Sequence, residues 1–583
     1  MIQFLAPTQA GCRRSFPRHL LHRITTHALT AAVVILLQLH YSKSVNAHPR
    51  HRPNIIVMMA DDMGFSDIGC YGGEVKTPTL DRLAAGGLRF TQFYNTGRCC
   101  PTRASLMTGL YSHQAGIGHM VRPHIRGEGP LPGYLGHLND ECVTIAEVLR
   151  RSGYRTMLAG KWHVTPFDYD SLVASHRATW PLQRGFHEFY GTIAGAGSFF
   201  WPEGLMRQNT FIDPDTENYY YTDAISDNAA RFVRSRENER RPFFLYVAYT
   251  APHWPLHALP EDIEKYDGVY DKGWDRVREE RMARMVEMGI LKPSWKMSPR
   301  NPFVKSWEEA PHKHWEAYRM AVYAAQIDRM DQGIGKIVTA LEETDQLENT
   351  LILFLADNGG CHEPITGRQG GAGFHTFGKT LPEGAFRGGN FPDTYPGPAD
   401  TFASYGMAWA NASNTPFRLF KHFVHEGGIA SPLVVHWPHE IQQGGALRHQ
   451  PGHLIDIMAT CVDVAGARYP QKVHDQEILP LEGKSLVPAF ADQPIEREAI
   501  YWEHEGNRAV RRGKWKLVAR YKRPWELYDM EADRAELDNL IESEPELAQS
   551  MIDDWHAWAW RSRALPSPYL HWLKEPDQRG YQP

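Results

Sequence analysis

Two pairs of oxygen-bearing side chains stand out because each pair directly follows a strongly apolar run. The pairs are Asp61 with Asp62 and Asp357 with Asn358. Carboxylate and amide oxygens without His or Cys suit a hard cation such as Ca²⁺ or Mg²⁺. Either pair alone is typical of an ordinary turn. Two pairs, each at the end of an apparently buried strand, favour a metal site.

A second chemical feature is a Cys-Cys pair in the segment 99–103, which reads CCPTR. A bare Cys-Cys pair is typical of a vicinal disulfide or of two structural thiols in a loop. With LMTG at 106–109, however, the segment resembles the sulfatase signature C-x-P-[ST]-R-x-x-x-L-T-G, with Met107 in the Leu place. Because further motifs of that family follow in order, the resemblance outweighs the structural interpretation.

The further motifs cover nearly the whole chain after residue 47. They are DDMG at 61–64, GKWH at 160–163, PHWP at 252–255, DNG at 357–359, Lys421 before EGG at 426–428, WEHEG at 502–506 and GKWKL at 513–517. The chain is most similar to the bacterial arylsulfatase branch. One departure is Val164-Thr165, where Leu-Gly often follows the GKWH motif, and it affects packing more than chemistry.

The resemblance implies that Cys99 is converted to Cα-formylglycine (3-oxoalanine) by a separate maturation enzyme. The aldehyde hydrate is then the nucleophile: one hydroxyl attacks sulfur, and the other loses its proton so that sulfate is expelled. The implied metal is Ca²⁺, with Mg²⁺ as the alternative. Its implied ligands are Asp61, Asp62, Asp357 and Asn358.

The resemblance also implies roles for five basic side chains. Arg103 and Lys161 would stabilise the ionised hydrate and the metal-binding carboxylates, and His163 would orient the hydroxyl and assist its deprotonation. His253 would protonate the leaving alcohol or phenol, either alone or together with Lys421. The sulfate group itself would be bound by Lys161, His253 and Lys421.

The function predicted in this way is hydrolysis of sulfate monoesters, above all aryl or small alkyl sulfates. Three alternatives stay open: a phosphonate monoester hydrolase or phosphodiesterase with the same nucleophile, a carbohydrate-specific sulfatase, and a catalytically silent binding protein. The last is disfavoured because the complete set of motif residues has no reason to persist without chemistry.

Composition excludes some classes of partner. The 583 residues carry a formal net charge of -5, with a sequence pI of about 6.7, so no basic field predicts nucleic acid or an anionic membrane surface as a partner. Seven cysteines are too sparse for a disulfide scaffold, although a bridge or two is compatible with the sequence.

The N-terminus has the pattern of a signal peptide over residues 1–47. Four arginines precede an apolar run at 28–39, and small residues end at a cleavage site after Ala47. The apolar run is shorter than the roughly twenty residues that span a bilayer, so no stable membrane span is expected after cleavage. We expect export to the periplasm or to the outside.

Four apolar runs without alternation predict strands buried on both faces of a parallel sheet. They occupy 55–60, 154–159, 243–250 and 351–356, and each ends in polar residues. Helices are predicted between them, one with a capping box at Thr144 that stops at Gly153 and one over 318–341. The fold class is therefore α/β, and the resemblance implies a large mixed, mostly parallel, alkaline-phosphatase-like sheet between helices. Ligands bind such sheets beyond the carboxyl ends of the strands.

Two domains are predicted after the signal peptide, a catalytic domain over 48–490 and a small α+β domain over 491–583. The second rests on short segments at 499–502, 508–511, 515–518 and 525–528, which predict an antiparallel sheet, and on a helix at 545–560. Two stretches rich in Pro, Gly and aromatic residues, 256–315 and 362–410, are predicted to be long loops that wall the substrate site.

Overall fold

The computed structural model describes residues 52–121, 131–168, 173–174, 176–216, 218–235, 241–368 and 385–570. The predicted signal peptide lies outside these residues. From Arg52 onward the chain forms one compact unit. No described helix is long and apolar enough to cross a membrane.

The helices and strands are numbered in chain order. The helices α1–α12 are Pro78–Ala85, Cys99–Thr108, Ile145–Arg151, Tyr221–Arg234, Pro260–Ile263, Gly273–Glu287, Lys313–Glu343, Gly406–Ser413, Glu426–Ile429, Ile455–Val464, Val487–Phe490 and Pro545–Arg561. The strands β1–β10 are Asn54–Ala60, Leu88–Tyr94, Arg155–Gly160, Phe167–Asp168, Val173–Ala174, Glu188–Thr192, Leu205–Arg207, Thr210–Phe211, Phe243–Ala248 and Thr350–Ala356. The strands β11–β21 are Arg387–Gly388, Thr401–Phe402, Ala430–His436, Ala446–Arg448, Gly452–His453, Lys472–Val473, Gln476–Glu477, Ile500–His504, Asn507–Arg512, Trp515–Ala519 and Glu526–Asp529.

The four apolar runs form the centre of a mixed sheet, as predicted. The strand order is β14-β2-β13-β10-β1-β9-β3-β6-β7-β8, with β15 paired to β2. Strands β10, β1, β9 and β3 are parallel neighbours. The register pairs Ala60 with Ala356 and Gly160 with Ala248, so the carboxyl ends of these strands meet at one edge. Antiparallel pairs of β13 with β10 and β2 make the sheet mixed.

Helices cover both faces because most side chains on each face of the central strands are apolar. Ile56 and Met58 of β1 pack into a core that includes residues of α4 and α7. Ile55 and Val57 point to the other side, into a core with residues of α2, α3 and α10. A strand buried on both faces needs this uninterrupted apolar sequence.

Local sequence signals set the helix boundaries near the sheet. The side chain of Thr144 accepts a hydrogen bond from the Glu147 N–H at 3.1 Å, and the Glu147 carboxylate accepts one from the Thr144 N–H at 2.7 Å. This capping box starts α3, and the chain leaves the helix at Gly153, whose φ of 87° suits glycine. The predicted start and stop are both confirmed.

The C-terminal part contains the predicted antiparallel sheet and helix. Strands β18 to β21 pair in chain order, and α12 packs on them through the indole N–H of Trp555, which donates to the Trp502 carbonyl at 2.9 Å. The fold class is confirmed. The domain boundary near residue 490 stays a prediction.

The stretch 256–315 differs from the predicted loop, because it contains α5 and the fifteen-residue helix α6. The buried face of α6 carries two arginines, Arg278 and Arg281, at positions where an apolar residue is usual. Arg281 is fully buried and pairs with Asp67 at 2.7 Å and with Glu74 at 2.6 Å. The helix was not predicted because charged residues dominate its sequence.

The second predicted loop, 362–410, lies partly outside the described residues, at 369–384. Its described part contains the short paired strands β11 and β12 and the helix α8. The six described cysteines are all buried and free, so the part of the chain in view contains no disulfide.

Candidate active site

The two oxygen-bearing pairs lie side by side because β1 and β10 end in register. The Asp62 N–H donates to Asp357 Oδ1 at 3.0 Å, and Asn358 Nδ2 donates to Asp62 Oδ1 at 2.7 Å. Asp61, Asp357 and Asn358 are fully buried, and Asp62 is 1% exposed. The structure therefore brings the four predicted metal ligands together.

Two oxygens in this cluster indicate that a cation fits. Asp61 Oδ1 and Asn358 Oδ1 are buried, and neither has a hydrogen-bond partner among the residues that the structure describes. An acceptor left unpaired in the interior costs about 1–3 kcal/mol, and a cation would remove that cost. Oxygens of Asp61 and Asp62 and a nitrogen of His253 lie within 4.8 Å of one another. The donor set, mostly hard oxygens, suits Ca²⁺ or Mg²⁺.

Three buried cations surround the carboxylates. Lys161 Nζ lies 2.6 Å from Asp61 Oδ2. Arg103 Nη2 lies 3.0 Å from Asp357 Oδ2. Lys421 Nζ lies 2.8 Å from Asp62 Oδ1. The motif positions 103, 161 and 421, which are far apart in sequence, thus converge on the same cluster.

The charge of the cluster explains how an acidic protein would receive an anion. Three carboxylates, those of Asp61, Asp62 and Asp357, face three side-chain cations, so the buried groups are close to neutral as a set. A bound divalent cation would make the set positive by about two charges in a poorly screened environment. An anionic substrate would then be attracted to this edge of the sheet.

The pKa values of the two carboxylates at the centre shift in opposite directions. Burial acts to raise the pKa of Asp61, but the nearby Lys161, His253 and Arg103 outweigh it and hold that pKa below its usual value. Burial, and next the charge of Asp61, raises the pKa of Asp357 well above its usual value. Ionisation of neighbouring carboxylates is unfavourable because their negative charges repel, and a bound divalent cation would offset that repulsion.

Cys99 is the first residue of α2, directly beyond this cluster. It is 2% exposed, and Arg103 one turn later joins the helix to Asp357. A hydrogen bond from Cys100 is the main cause that lowers the pKa of the Cys99 thiol well below its usual value, with Lys161 and His163 adding to it. The partial positive charge at a helix N-terminus further favours an anion at this position.

His163 lies against the two cysteines. Its Nε2 is 3.3 Å from Cys100 Sγ, and a ring nitrogen lies within 4.8 Å of the Cys99 sulfur. Burial, with Lys161 next, lowers the pKa of His163 to about 4, so its imidazole is neutral at pH 7. The ring fits because residue 195 is Gly: a Cβ there would lie 2.2 Å from the imidazole.

His253 lies between Lys421 and the carboxylates. Its Nδ1 is 2.5 Å from the Trp254 carbonyl, so the ring donates its Nδ1–H there. Its Nε2 is 3.3 Å from Asp62 Oδ2 and 3.4 Å from Lys421 Nζ. With a side chain 6% exposed, the ring is the part of this cluster nearest to solvent, together with His163.

Sequence reasoning missed two residues that contact this site. Glu363 lies 3.7 Å from Lys421 Nζ and accepts a hydrogen bond from the Trp254 indole N–H at 3.0 Å. The sequence signal that could have identified Glu363 is its position five residues after Asn358. Cys100, which occupies a variable position of the signature, is buried against His163 and Met120 rather than exposed.

Comparison with known proteins decides the family. The family model described as Sulfatase matches residues 53–467, and a second, described as N-sulphoglucosamine sulphohydrolase, C-terminal, matches residues 417–556. The chain belongs to the sulfatase family. An uncharacterized sulfatase of Schizosaccharomyces pombe is 31% identical to this sulfatase over 89% of the chain and 95% of its own length.

Two further similarities concern named proteins. An arylsulfatase of Klebsiella aerogenes is 32% identical over 79% of this sulfatase and 96% of its own length. The solved structure of Ps i-CgsB in complex with k-i-k-neocarrahexaose has a TM-score of 0.62 and 25% identity, and covers 88% of this sulfatase and 98% of that chain. The predicted alkaline-phosphatase-like fold is thereby confirmed.

Proposed function

We propose that the chain hydrolyses sulfate monoesters with a formylglycine formed from Cys99. The observation that carries this proposal is the position of Cys99. It lies at a buried helix N-terminus, with its sulfur within 4.8 Å of a His163 nitrogen, beside the cluster of Asp61, Asp62, Asp357 and Asn358. The aldehyde hydrate would supply a hydroxyl to attack sulfur and a second hydroxyl whose ionisation releases sulfate. A separate maturation enzyme is the partner that this chemistry requires.

The cation would be held by Asp61, Asp62, Asp357 and Asn358. Ca²⁺ is our first choice and Mg²⁺ the alternative, and either ion would supply polarisation of a sulfate oxygen. Arg103 and Lys161 pair with the Asp357 and Asp61 carboxylates and would keep their oxygens in place for the ion. Removal of the Arg103 or the Lys161 side chain would leave its partner carboxylate both unpaired and misoriented.

Two histidines would handle the protons. The neutral imidazole of His163 can accept a proton from the hydroxyl at position 99, since a nitrogen of its ring lies within 4.8 Å of that residue's sulfur. His253, held through Nδ1 by the Trp254 carbonyl, directs Nε2 to the place where Lys421 Nζ also lies. There, Nε2–H would protonate the leaving oxygen while Lys161 and Lys421 bind the sulfate oxygens.

For the substrate, we propose aryl or small alkyl sulfates, a choice supported by the relative named arylsulfatase. A carbohydrate sulfate is the second candidate, because the structural relative Ps i-CgsB was solved with an oligosaccharide. We also propose that residues 1–47 direct export and that residues 491–583 form a separate small domain.

The test is a substrate panel assayed on protein co-expressed with a formylglycine-generating enzyme. We expect kcat/KM for an aryl sulfate to exceed that for an aryl phosphonate monoester by more than about 10-fold, a difference of 1.4 kcal/mol in transition-state stabilisation. A preference for the phosphonate would reject the sulfatase reaction. A sulfated oligosaccharide as the best substrate would select the second candidate. Protein made without the maturation enzyme is the matched control.

A further inference from the structure

A second cluster of metal-binding side chains lies where the C-terminal sheet meets the core. His422 directly follows Lys421, His504 ends β18, and Glu505 begins the turn to β19. One nitrogen of each histidine and a carboxylate oxygen of Glu505 lie within 4.8 Å of one another. From this geometry we infer that the three side chains form a binding site for a zinc-class divalent ion, separate from the oxygen cluster of the proposed active site.

The donor types point to this class of ion. Two imidazoles and one carboxylate suit Zn²⁺ or a neighbouring transition metal, whereas Ca²⁺ and Mg²⁺ prefer oxygen alone. His422 Nδ1 is 2.7 Å from Glu505 Oε2, and His504 Nε2 is 3.8 Å from Glu505 Oε1. Ligands of a tetrahedral zinc ion lie about 3.4 Å apart, so these atoms need only small shifts to bind one. A fourth position would be open to water.

An independent observation comes from His504. Its side chain is fully buried, and neither ring nitrogen has a hydrogen-bond partner in the described part of the chain. A buried imidazole with two unpaired nitrogens is costly in the absence of a ligand.

The neighbouring residues would orient the ligands. His422 Nε2 is 2.8 Å from Glu363 Oε1, which leaves Nδ1 as the nitrogen that faces Glu505. This is the carboxylate–histidine arrangement that supports metal-binding imidazoles. His119 Nε2 lies 2.9 Å from Glu505 Oε1 and can orient that carboxylate in the same way.

Charge and access are both compatible with an ion. Glu363 and Glu505 carry two negative charges. They are offset by Arg98, which lies 3.1 Å from Glu363 and 2.7 Å from His422 Nδ1, and by Lys421, which lies 3.7 Å from Glu363. These charges are therefore close to balanced before an ion binds. His422 and Glu505 also line an open cavity of about 410 Å³, through which an ion can enter.

A metal here would tie the β18–β19 turn to the segment that carries Lys421. This consequence does not depend on which ester is hydrolysed. The metal site would therefore help to position Lys421, which we propose binds the sulfate group and which lies 3.7 Å from Glu363.

The test is a Zn²⁺ titration of the full chain, with ZnCl₂ alone as the probe, in competition with a chromogenic chelator. A Cys99→Ala background removes one ligand of the neighbouring Cys99, Cys100 and His163 group, and excess Ca²⁺ occupies the oxygen cluster. We expect one Zn²⁺ per chain, and Co²⁺ bound in its place should show a tetrahedral visible spectrum. Glu505→Gln should weaken Zn²⁺ binding by more than about 10-fold.

Two further variants keep the result decisive. His422→Asn changes a partly exposed ligand and gives the answer if Glu505→Gln fails to fold, which melting without Zn²⁺ reports. His362→Gln, in the same cavity but outside the ligand set, is the matched control and should bind as the parent does. If the parent binds no Zn²⁺, or if folded Glu505→Gln and His422→Asn bind it as tightly as the parent, the inference is wrong.

Discussion

Two buried charge clusters of similar composition lie in different regions of the molecule. At the proposed active site, three carboxylates face three cations at the ends of central strands. At the junction with the C-terminal sheet, Lys516 of β20 lies 2.8 Å from both Glu426 and Glu536, and Arg534 lies 3.2 Å from Glu426. Both clusters are almost completely removed from solvent.

The difference is in what remains unpaired and what the pairs connect. The strand-end cluster keeps the acceptors Asp61 Oδ1 and Asn358 Oδ1 without partners in the described structure, beside two histidines that are 5–6% exposed. In the junction cluster, one lysine joins two carboxylates from separate segments, and the buried atoms without partners include the donors Arg534 Nη1 and Nη2, which cannot bind a cation. We infer that the first arrangement is kept for binding and chemistry, and the second for attaching the C-terminal sheet. Mutations should therefore separate activity from stability.

The largest effect is expected for Cys99→Ala. Loss of the nucleophile should lower kcat/KM for an aryl sulfate by at least about 10³-fold, while the melting temperature stays near that of the parent. Steady-state kinetics and thermal melting measure the two. Cys142→Ala, which removes a buried thiol outside the site, is the control. Substantial turnover by Cys99→Ala would show that position 99 is not the nucleophile.

A ligand change at the strand ends comes next. Asp62→Asn should lower both metal content and kcat/KM, the latter by at least about 100-fold, because a cation ligand and the partner of Lys421 are altered together. Elemental analysis and kinetics give the readouts, and chelation of the parent should reproduce the loss. Glu308→Gln, whose side chain is 92% exposed, is the control. Full activity in the metal-free parent would contradict the metal assignment.

At the junction, Lys516→Met should act on stability. The substitution leaves two carboxylates buried without their common cation, which we expect to lower the free energy of unfolding by about 3–5 kcal/mol. Denaturant unfolding measures this. Lys514→Met is the matched control, because Lys514 pairs with Asp529 at the surface and such pairs contribute about 0–1 kcal/mol. Equal effects of the two variants would remove the distinction between the clusters.

The smallest effect concerns a buried group outside both clusters. Burial, with Arg82 next, lowers the pKa of His436 to about 4. The unfolded chain therefore binds a proton between about pH 6.5 and 4 that the folded chain does not, and stability falls as the pH decreases through this window. Relative to His436→Gln, the parent should lose about 2–3 kcal/mol between pH 7 and pH 4. A constant difference across this range would contradict the pKa.

Much of the strand-end region could be predicted because its signals are local. Uninterrupted apolar runs indicate strands buried on both faces, and parallel strands must present their carboxyl ends together. The meeting of Asp62 with Asp357 follows from that rule once β1 and β10 are neighbours. The antiparallel C-terminal sheet and its helix could likewise be predicted from short segments and turns.

The remaining parts depend on long-range contacts that no local pattern encodes. Glu505 meets His422 across 83 positions, both on left-handed backbone, with φ values of 52° and 81°. Helix α6 was missed because Arg281 occupies a core-facing position. Its pairing with Asp67 and Glu74 offsets the free-energy cost of burying its charge. Composition alone gives no information about such partners.

The central claim concerns the chemical state of residue 99, and mass spectrometry of its tryptic peptide from active protein tests it most directly. The account predicts that this peptide carries formylglycine or its hydrate in place of Cys99, in a fraction that rises with specific activity across preparations. Fully active protein in which residue 99 is only an unmodified thiol or a disulfide would contradict it.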